Sequence, residues 1–394
     1  MNGYKGTNSI DKQMFLFCIT FFGVQAAVVV TQSFYVAYMD SMGVPSTFTG
    51  IGSSIMAGFG IMGQFVISYW CDRKKQLKKY FYLMLFILII SVYALYSFRY
   101  GIEIVFFFTA MAGIAINTIV GLTDSWSLKI GDEIKANYGS MRAAGSFSLF
   151  ISAIILGKLV TKCGYKALSI AIIVVFIFIF FASRDIPDVK SKAEKEIDLS
   201  CLRELFFNKK YVFLVITYFC IFIMTSAELL LLGMKLNHIG GTSAIGMFFG
   251  IQALSEIPTM VLYKQICKKI MPKDILIIAT FFYVLREILF AVAETPIIMF
   301  IVSWSDAFTY SLVYVGAKFL FDEILPEHLK ITGQMIGMAI YCGGAGIFAP
   351  LVFGIILEYV SFNGSLLILS LFGLLSLILA LVYKKMCEKE FLKI

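Results

Sequence analysis

Apolar residues run in long blocks along this chain, and short polar clusters separate them. A helix needs roughly 20 apolar residues to cross a hydrocarbon core of about 30 Å. Twelve segments approach or exceed that length: 14–39, 47–71, 80–98, 102–126, 137–161, 165–183, 211–234, 242–263, 274–293, 296–321, 331–357 and 362–383. Lipid leaves backbone polar groups unsatisfied, so a spanning segment is a helix or part of a closed barrel. Barrel strands alternate apolar and polar residues, whereas Tyr82–Tyr96 is apolar on every face. The pattern therefore predicts helices. The first segment is too long for a signal-peptide core and has no small-residue cleavage site after it, so it is expected to remain as a transmembrane helix.

Composition agrees: 60% of the 394 residues are hydrophobic and only 15% are charged, against about 45–50% apolar in soluble domains. One long polar stretch, Arg184–Lys210, divides six segments from six. The expected organisation is a bundle over 1–183, a central loop over 184–210 and a second bundle over 211–394. This is an all-α membrane protein of twelve transmembrane helices in two six-helix pseudo-symmetric bundles, related by an axis along the membrane normal. Cationic residues set the orientation. With both termini cytoplasmic, 25 lysines and arginines fall inside, and only Arg99, Lys162, Lys166 and Lys235 fall outside. The formal charge of +8 then follows from topology, and nucleic acid is not needed to explain it. The eight cysteines are scattered without a C-x-x-C pair, so neither a metal site nor a disulfide framework is expected.

A charge inside a helix bundle is costly and usually functional. Asp124, late in the fourth segment, and Arg142, early in the fifth, approach the same membrane face and are expected to meet. An arginine fork matches a carboxylate and offsets its burial. Gln25, Gln32, Tyr35, Asn117 and Trp126 are further candidates for a solute cavity. Gln25 and Gln32 stand seven residues apart, about two turns, on one helix face. The second half carries Glu228, Glu256, Arg286, Glu287, Asp306 and Lys318. Four carboxylates against two cations leave at least one free to exchange a proton.

The run from Asp124 to Tyr138-Gly139-Ser140-Met141-Arg142-Ala143-Ala144-Gly145-Ser146 resembles the lactose permease-like group of the major facilitator superfamily, which includes oligosaccharide and nucleoside proton symporters. Thr49-Gly50-Ile51, Gln64 and Asp72-Arg73-Lys74-Lys75 extend the likeness, with Ser68 and Gln76 where glycines are common. Ser255-Glu256-Ile257-Pro258, Lys268-Lys269, Leu285-Arg286, Leu325-Pro326-Glu327-His328-Leu329 and Thr332-Gly333-Gln334 carry it through the second half. The resemblance implies sugar-binding roles for Asp124 and Arg142, and a gating loop at Asp72 and Arg73. Glu256, Arg286, Asp306 and Lys318 are the expected proton-coupling set, with Glu256 or Asp306 holding the proton and Arg286 favouring its release. A carboxylate can do this when burial penalises its charge. Glu228, Glu287 and Lys318 are read as sitting near the interfaces. The permease's stacking tryptophan is replaced by Leu149, which weakens galactoside transport and leaves Trp126, Tyr35 or Tyr38 as stacking surfaces.

These features imply a proton-coupled symporter for a small polar solute, working by alternating access as a monomer in the inner (plasma) membrane. No cofactor, no metal and no nucleic acid are expected. An exporter is the nearest rival. It usually carries a glycine-proline motif on the fifth helix, and Gly145-Ser146-Phe147-Ser148-Leu149 has no proline before Gly157. A non-transporting sensor would need an appended signalling domain. An enzyme would need paired histidines or a nucleophile with its base, but His238 and His328 both fall in expected loops. No phosphate-cradling loop is present, so ATP-driven transport is not expected.

Overall fold

A computed structural model describes residues 4–97, 101–189, 204–326 and 329–391. Arg99, Cys201, Glu327, His328 and residues 190–203 of the central loop lie outside them. Among the described residues there is no strand. The chain is an all-α membrane protein, and among the described residues eleven helices are long and apolar enough to cross a bilayer. One of them, Lys209–Thr259, has 51 residues, or about 75 Å at 1.5 Å per residue, enough for two passes. It breaks at Gly241, whose φ of 68° and ψ of −175° are non-helical. Only glycine adopts such a conformation without a steric penalty, so the expected seventh and eighth helices separate there.

The helices are α1 (Tyr4–Val28, a π turn Val29–Ser33, then Tyr35–Ser41), α2 (Ser46–Lys74), α3 (Leu77–Ser97), α4 (Ile102–Lys129), α5 (Tyr138–Cys163) and α6 (Lys166–Ser183). A short helix, Asp132–Ala136, lies between α4 and α5. Lys209–Ile266 supplies α7 before Gly241 and α8 after it. Then come α9 (Pro272–Val292), α10 (Pro296–Ser303, a 3-10 segment Trp304–Phe308, then Tyr310–Ile324), α11 (Lys330–Met338, a π turn Ala339–Gly344, then Ala345–Tyr359) and α12 (Phe362–Phe391). Several starts are encoded locally. Asn208 accepts from the Lys210 and Tyr211 amides at the head of α7, and prolines stand in the first turns of α9 and α10, where a missing N–H costs nothing.

The chain folds as two compact units. Unit 1 is Met1–Gly43, Ile55–Glu194 and Gly240–Leu254; unit 2 is Val44–Ser54, Lys195–Ile239 and Ser255–Ile394. The borders depart from the expected halves at two places. The first turns of α2 fall in unit 2, and the first turns of α8 fall in unit 1. Close backbone approach explains both. In unit 2 the Ser54 hydroxyl donates to the Ile347 carbonyl at 2.7 Å and Ser46 to that of Gly354 at 2.9 Å, fastening α2 to α11. In unit 1 a Thr161–Thr242 hydroxyl pair at 2.9 Å joins α5 to α8. Unit 1 packs α3 on α4 and on α6; unit 2 packs α9 on α10 and on α12. The same pairings thus recur six helices along.

Two further details correct expectations. Lys235 is not in an outer loop. It is buried on α7, and its ammonium donates to the carbonyls of Phe290 (2.7 Å) and Ala291 (3.4 Å) and to Asn363 Oδ1 (2.8 Å). It therefore caps the C-terminus of α9, where free carbonyls and the helix dipole favour a cation. Lys235→Met should keep the aliphatic stem and lose the cap. The expected destabilisation is about 1.5–3 kcal/mol, the range for a hydrogen bond to a charged group, read as a lower unfolding temperature in detergent. Trp126, offered above as a stacking surface, is fully enclosed. Its indole N–H donates to the Pro187 carbonyl at 2.9 Å, and Phe17 and Phe81 meet its ring edge-on at 5.9 and 5.6 Å. Lys78 donates to the carbonyls of Arg184 and Ile186 alongside it. Trp126 thus anchors the start of the central loop to unit 1 and has no free face for a solute in this conformation.

Candidate functional site

The strongest concentration of buried charge is in unit 2. On α9, Tyr283, Arg286, Glu287 and Phe290 stand at i, i+3, i+4 and i+7, so they share one helix face, and all four are buried. The opposite face, including Leu285, Ile288, Leu289 and Val292, is exposed apolar surface suited to lipid. Arg286 is 1% exposed. Its Nη2 donates to Glu228 Oε2 on α7 at 2.7 Å. Its Nη1 donates to Asp306 Oδ1 on α10 and to Thr309 Oγ1 at 2.8 Å. The Thr309 hydroxyl in turn donates to Asp306 Oδ1 at 3.1 Å. One guanidinium fork therefore ties three helices together, as its planar donor geometry allows.

Asp306 lies in the 3-10 segment of α10, and Thr309 directly after it has φ −111° and ψ −94°. The helix ladder is thus interrupted where the carboxylate meets Arg286. Irregular backbone at membrane depth is tolerated only where protein or a cavity surrounds it, and discontinuous helices often mark the sites of transporters. The π turns of α1 and α11 interrupt their ladders in the same way, and such turns are frequent at functional sites.

Glu228 and Glu287, read from the sequence as sitting near the interfaces, are enclosed within unit 2, at 5% and 0% exposed. Glu228 completes the Arg286 fork. Glu287 lies within hydrogen-bonding reach of Glu228, yet as carboxylates neither has a proton to donate, and both oxygens of Glu287 and Oε1 of Glu228 are without a donor. The partners of Arg286 are Glu228, Asp306 and Thr309; Glu256 is not among them. Glu256 is half-buried on α8, two residues before Pro258. Lys318 is exposed on the second part of α10, its ammonium 5.5 Å from the Tyr314 ring centre. The spacing of Tyr283, Arg286, Glu287 and Phe290 was the sequence signal that places Glu287 inward.

In unit 1 the expected pair is differently partnered. Asp124 Oδ1 accepts from the Tyr138 hydroxyl at 2.9 Å. Arg142 faces Gln25: with the amide oxygen turned toward the guanidinium, Gln25 accepts from Nη1 at 3.0 Å and Nη2 at 3.2 Å. That orientation is the one that satisfies both groups. Among the described residues no ion pair joins Asp124 to Arg142. The result is a polar strip from α1 and α4 along α5, with Arg142 and Asp124 both half-buried and so within reach of a solute.

The remaining candidates divide. Gln32 is half-buried in the π turn of α1, which interrupts the two-turn spacing from Gln25. Tyr35 is 1% exposed, with Thr109 Oγ1 3.4 Å from its hydroxyl, and the Tyr38 hydroxyl donates to the Leu95 carbonyl at 2.7 Å. Both rings pack α1 into unit 1, so neither offers a stacking surface here. Asn117 donates to the Gly113 carbonyl at 3.2 Å and lies against Gly60 of α2, a helix-packing position. Arg73 is exposed at the end of α2, and the side chain of Asp72 lies outside the described residues. Among the described residues no cluster of three His, Cys, Asp or Glu suits a metal ion.

Residues 14–366 match the MFS_1 like family. The chain is 27% identical over 269 residues to an uncharacterized transporter, YwbF, of Bacillus subtilis (strain 168), covering 66% of this chain and 65% of that one. It is 22% identical over 244 residues to a maltose permease of Geobacillus stearothermophilus, covering 61% and 62%. The chain thus spans somewhat under two thirds of these curated relatives. Its fold matches that of the nucleoside transporter NupG with a TM-score of 0.79 at 15% identity, covering 95% of this chain and 98% of that one. It also matches a POT family transporter in complex with 5-aminolevulinic acid, with a TM-score of 0.75 at 12% identity and coverage of 95% and 96%.

Proposed function

The chain belongs to the MFS_1 like family, and from that premise we propose that it is a secondary active transporter coupling proton entry to uptake of a small polar solute, an oligosaccharide or a nucleoside. One observation carries the reading: Arg286, buried in a membrane-spanning unit, is held between carboxylates on two other helices. A buried ion pair adds little stability by itself, and ionisable groups at membrane depth typically mark ion or substrate pathways. Changing the proton count of such a cluster changes which helices the guanidinium holds. That is the kind of two-state element alternating access requires.

The half-buried Asp124–Tyr138 and Gln25–Arg142 contacts supply acceptors and donors for the hydroxyls of a sugar or ribose. The maltose and nucleoside specificities of the two named relatives support that class. The solute and protons are the partners; no cofactor and no catalytic step enter the cycle. The protein works as a monomer in the inner (plasma) membrane with both termini cytoplasmic. The excess of lysine and arginine on one side supports this orientation, and moving Lys235 from an outer loop into α7 sharpens it.

The test is proton entry into vesicles reconstituted with the purified chain, screened with sugars and nucleosides. One class of solute should drive proton entry in the wild type. Asp124→Asn should reduce it about tenfold or more, the effect of losing one charge-assisted hydrogen bond of roughly 1.5 kcal/mol. If no sugar or nucleoside moves protons and a lipophilic cation moves them the opposite way, the uptake reading falls and the protein is an exporter.

A further inference from the structure

We infer that Glu228 and Glu287 share a single proton, and that this carboxyl pair, not Asp306 or Glu256, is where the coupled proton is held. The role in coupling rests on the symport reading above; the shared proton itself does not.

Charge balance makes the case first. Glu228, Glu287 and Asp306 surround one guanidinium, and the four groups are 5%, 0%, 2% and 1% exposed. Fully ionised, the cluster would hold three negative charges against one positive charge with almost no access to water, a state that burial strongly penalises. Among the described residues no other cation is bonded to it. Lys235, seven residues beyond Glu228 on α7, is occupied by the α9 carbonyls and Asn363. Residues 362–383 of α12, the helix packed on α9, contain no charged side chain. The remaining polar neighbours are hydroxyls: Tyr283 on α9, bonded to Thr225 of α7 at 3.1 Å, and Thr309 on α10.

Hydrogen-bond geometry then shows which carboxyls take the proton. Asp306 Oδ1 accepts from both Arg286 Nη1 and Thr309, and Asp306 is absent from the buried carboxylates left wholly or half without a donor. Glu228 presents only Oε2 to Arg286, which leaves Oε1 buried without a donor, and both oxygens of Glu287 are likewise buried without one. Two carboxylates in reach of each other can only accept. One added proton converts this contact into an O–H···O⁻ hydrogen bond, among the shorter and stronger kinds, and serves one unsatisfied oxygen of each residue. A metal ion would require a further set of oxygen ligands, and among the described residues no metal-binding group forms. The proton enters from water onto the pair and leaves as water is readmitted. When it leaves, Glu228 and Glu287 repel, and the α7–Arg286–α10 tie loosens.

The shared proton is tested on the full chain in lipid nanodiscs without solute, by infrared detection of the protonated-carboxyl C=O stretch and its shift in heavy water. The wild type should show this band at neutral pH. Glu287→Gln should abolish it, Glu228→Gln should shift it by removing the O–H···O⁻ partner, and Glu256→Gln should leave it intact. Solute exchange across the membrane at equal pH, retained in Glu287→Gln, would show that the variant is folded, whereas uphill accumulation should be lost. A band unchanged in Glu287→Gln, a band lost instead in Glu256→Gln, or a band removed by sodium ions at constant pH would each overturn the inference. The two readings fail separately. If the band behaves as expected but no solute drives proton entry in the wild type, the shared proton stands and symport falls. If solute-driven proton entry is intact in Glu287→Gln, symport stands and the pair is not the coupling site.

Discussion

Replacing Arg286 with alanine should abolish uphill transport and destabilise the protein by about 3–5 kcal/mol, the effect of removing one partner from a buried charge cluster. The large value follows from what remains. Glu228 and Asp306 lose their common donor, Thr309 loses the group that orders it against Asp306, and α7, α9 and α10 lose the guanidinium that joins all three. Arg286→Lys should fall between, because an ammonium is a point charge and cannot span two carboxylates as a planar fork does. Adding Glu228→Gln, Glu287→Gln and Asp306→Asn to Arg286→Ala should recover much of the stability, since no uncompensated charge is left buried, but none of the coupling. Thermal unfolding in detergent and accumulation in energised vesicles measure the two effects. A single variant within about 0.5 kcal/mol of wild type, the range of an ordinary surface substitution, would show that the cluster is not held as described.

The spans were legible because lipid demands long apolar helices and positive-charge bias orients them, and both signals survive without tertiary information. Even the break between α7 and α8 is announced, by Gly240-Gly241. The interruption of α10 is not. Trp304-Ser305-Asp306-Ala307-Phe308 holds no proline or glycine, and its 3-10 course goes with the pairing of Asp306 to an arginine on another helix. The burial of Glu228 and Glu287 was not legible for a related reason. Distance from the end of an apolar segment says nothing about which face a side chain occupies, whereas the spacing of Tyr283, Arg286, Glu287 and Phe290 does. Trp126 and Tyr35 were misassigned because an aromatic ring serves a core and a sugar site equally well. Only the loop residue Pro187 over the indole, and the packing of Tyr35 inside unit 1, decide between them. The pairing of Asp124 with Arg142 was inferred from helix ends alone, and Tyr138, one turn earlier on α5, reaches the carboxylate instead.

Valine at Gly50 and Gly246 together should lock the transporter out of the conformation seen here. A Cβ on Gly50 would overlap the Pro350 carbonyl oxygen and stand 3.1 Å from Cα of Gly354, so α2 meets α11 backbone to backbone within unit 2. A Cβ on Gly246 would overlap the Ala153 carbonyl oxygen and stand 3.1 Å from Cα of Gly157, so α8 meets α5 in the same way within unit 1. Backbone cannot step aside as a flexible side chain can, and overpacking is relieved only by moving a whole helix. Both contacts lie in the first turns of α2 and α8, which the proposed orientation puts at the outer face, so parting them exposes the residues buried there. Ser54→Cys reports it. Ser54 is 8% exposed and bonded to the Ile347 carbonyl in this conformation, and an outside maleimide should label cysteine there much faster in the double variant, with the exposed Cys163 replaced to remove background. Transport should be lost while the solute still binds from outside. Gly139, whose Cβ would meet nothing within 4 Å, supplies the control, and Gly139→Val should leave labelling at position 54 unchanged. Equal labelling with and without the Gly50 and Gly246 substitutions would mean that these close approaches do not keep Ser54 buried.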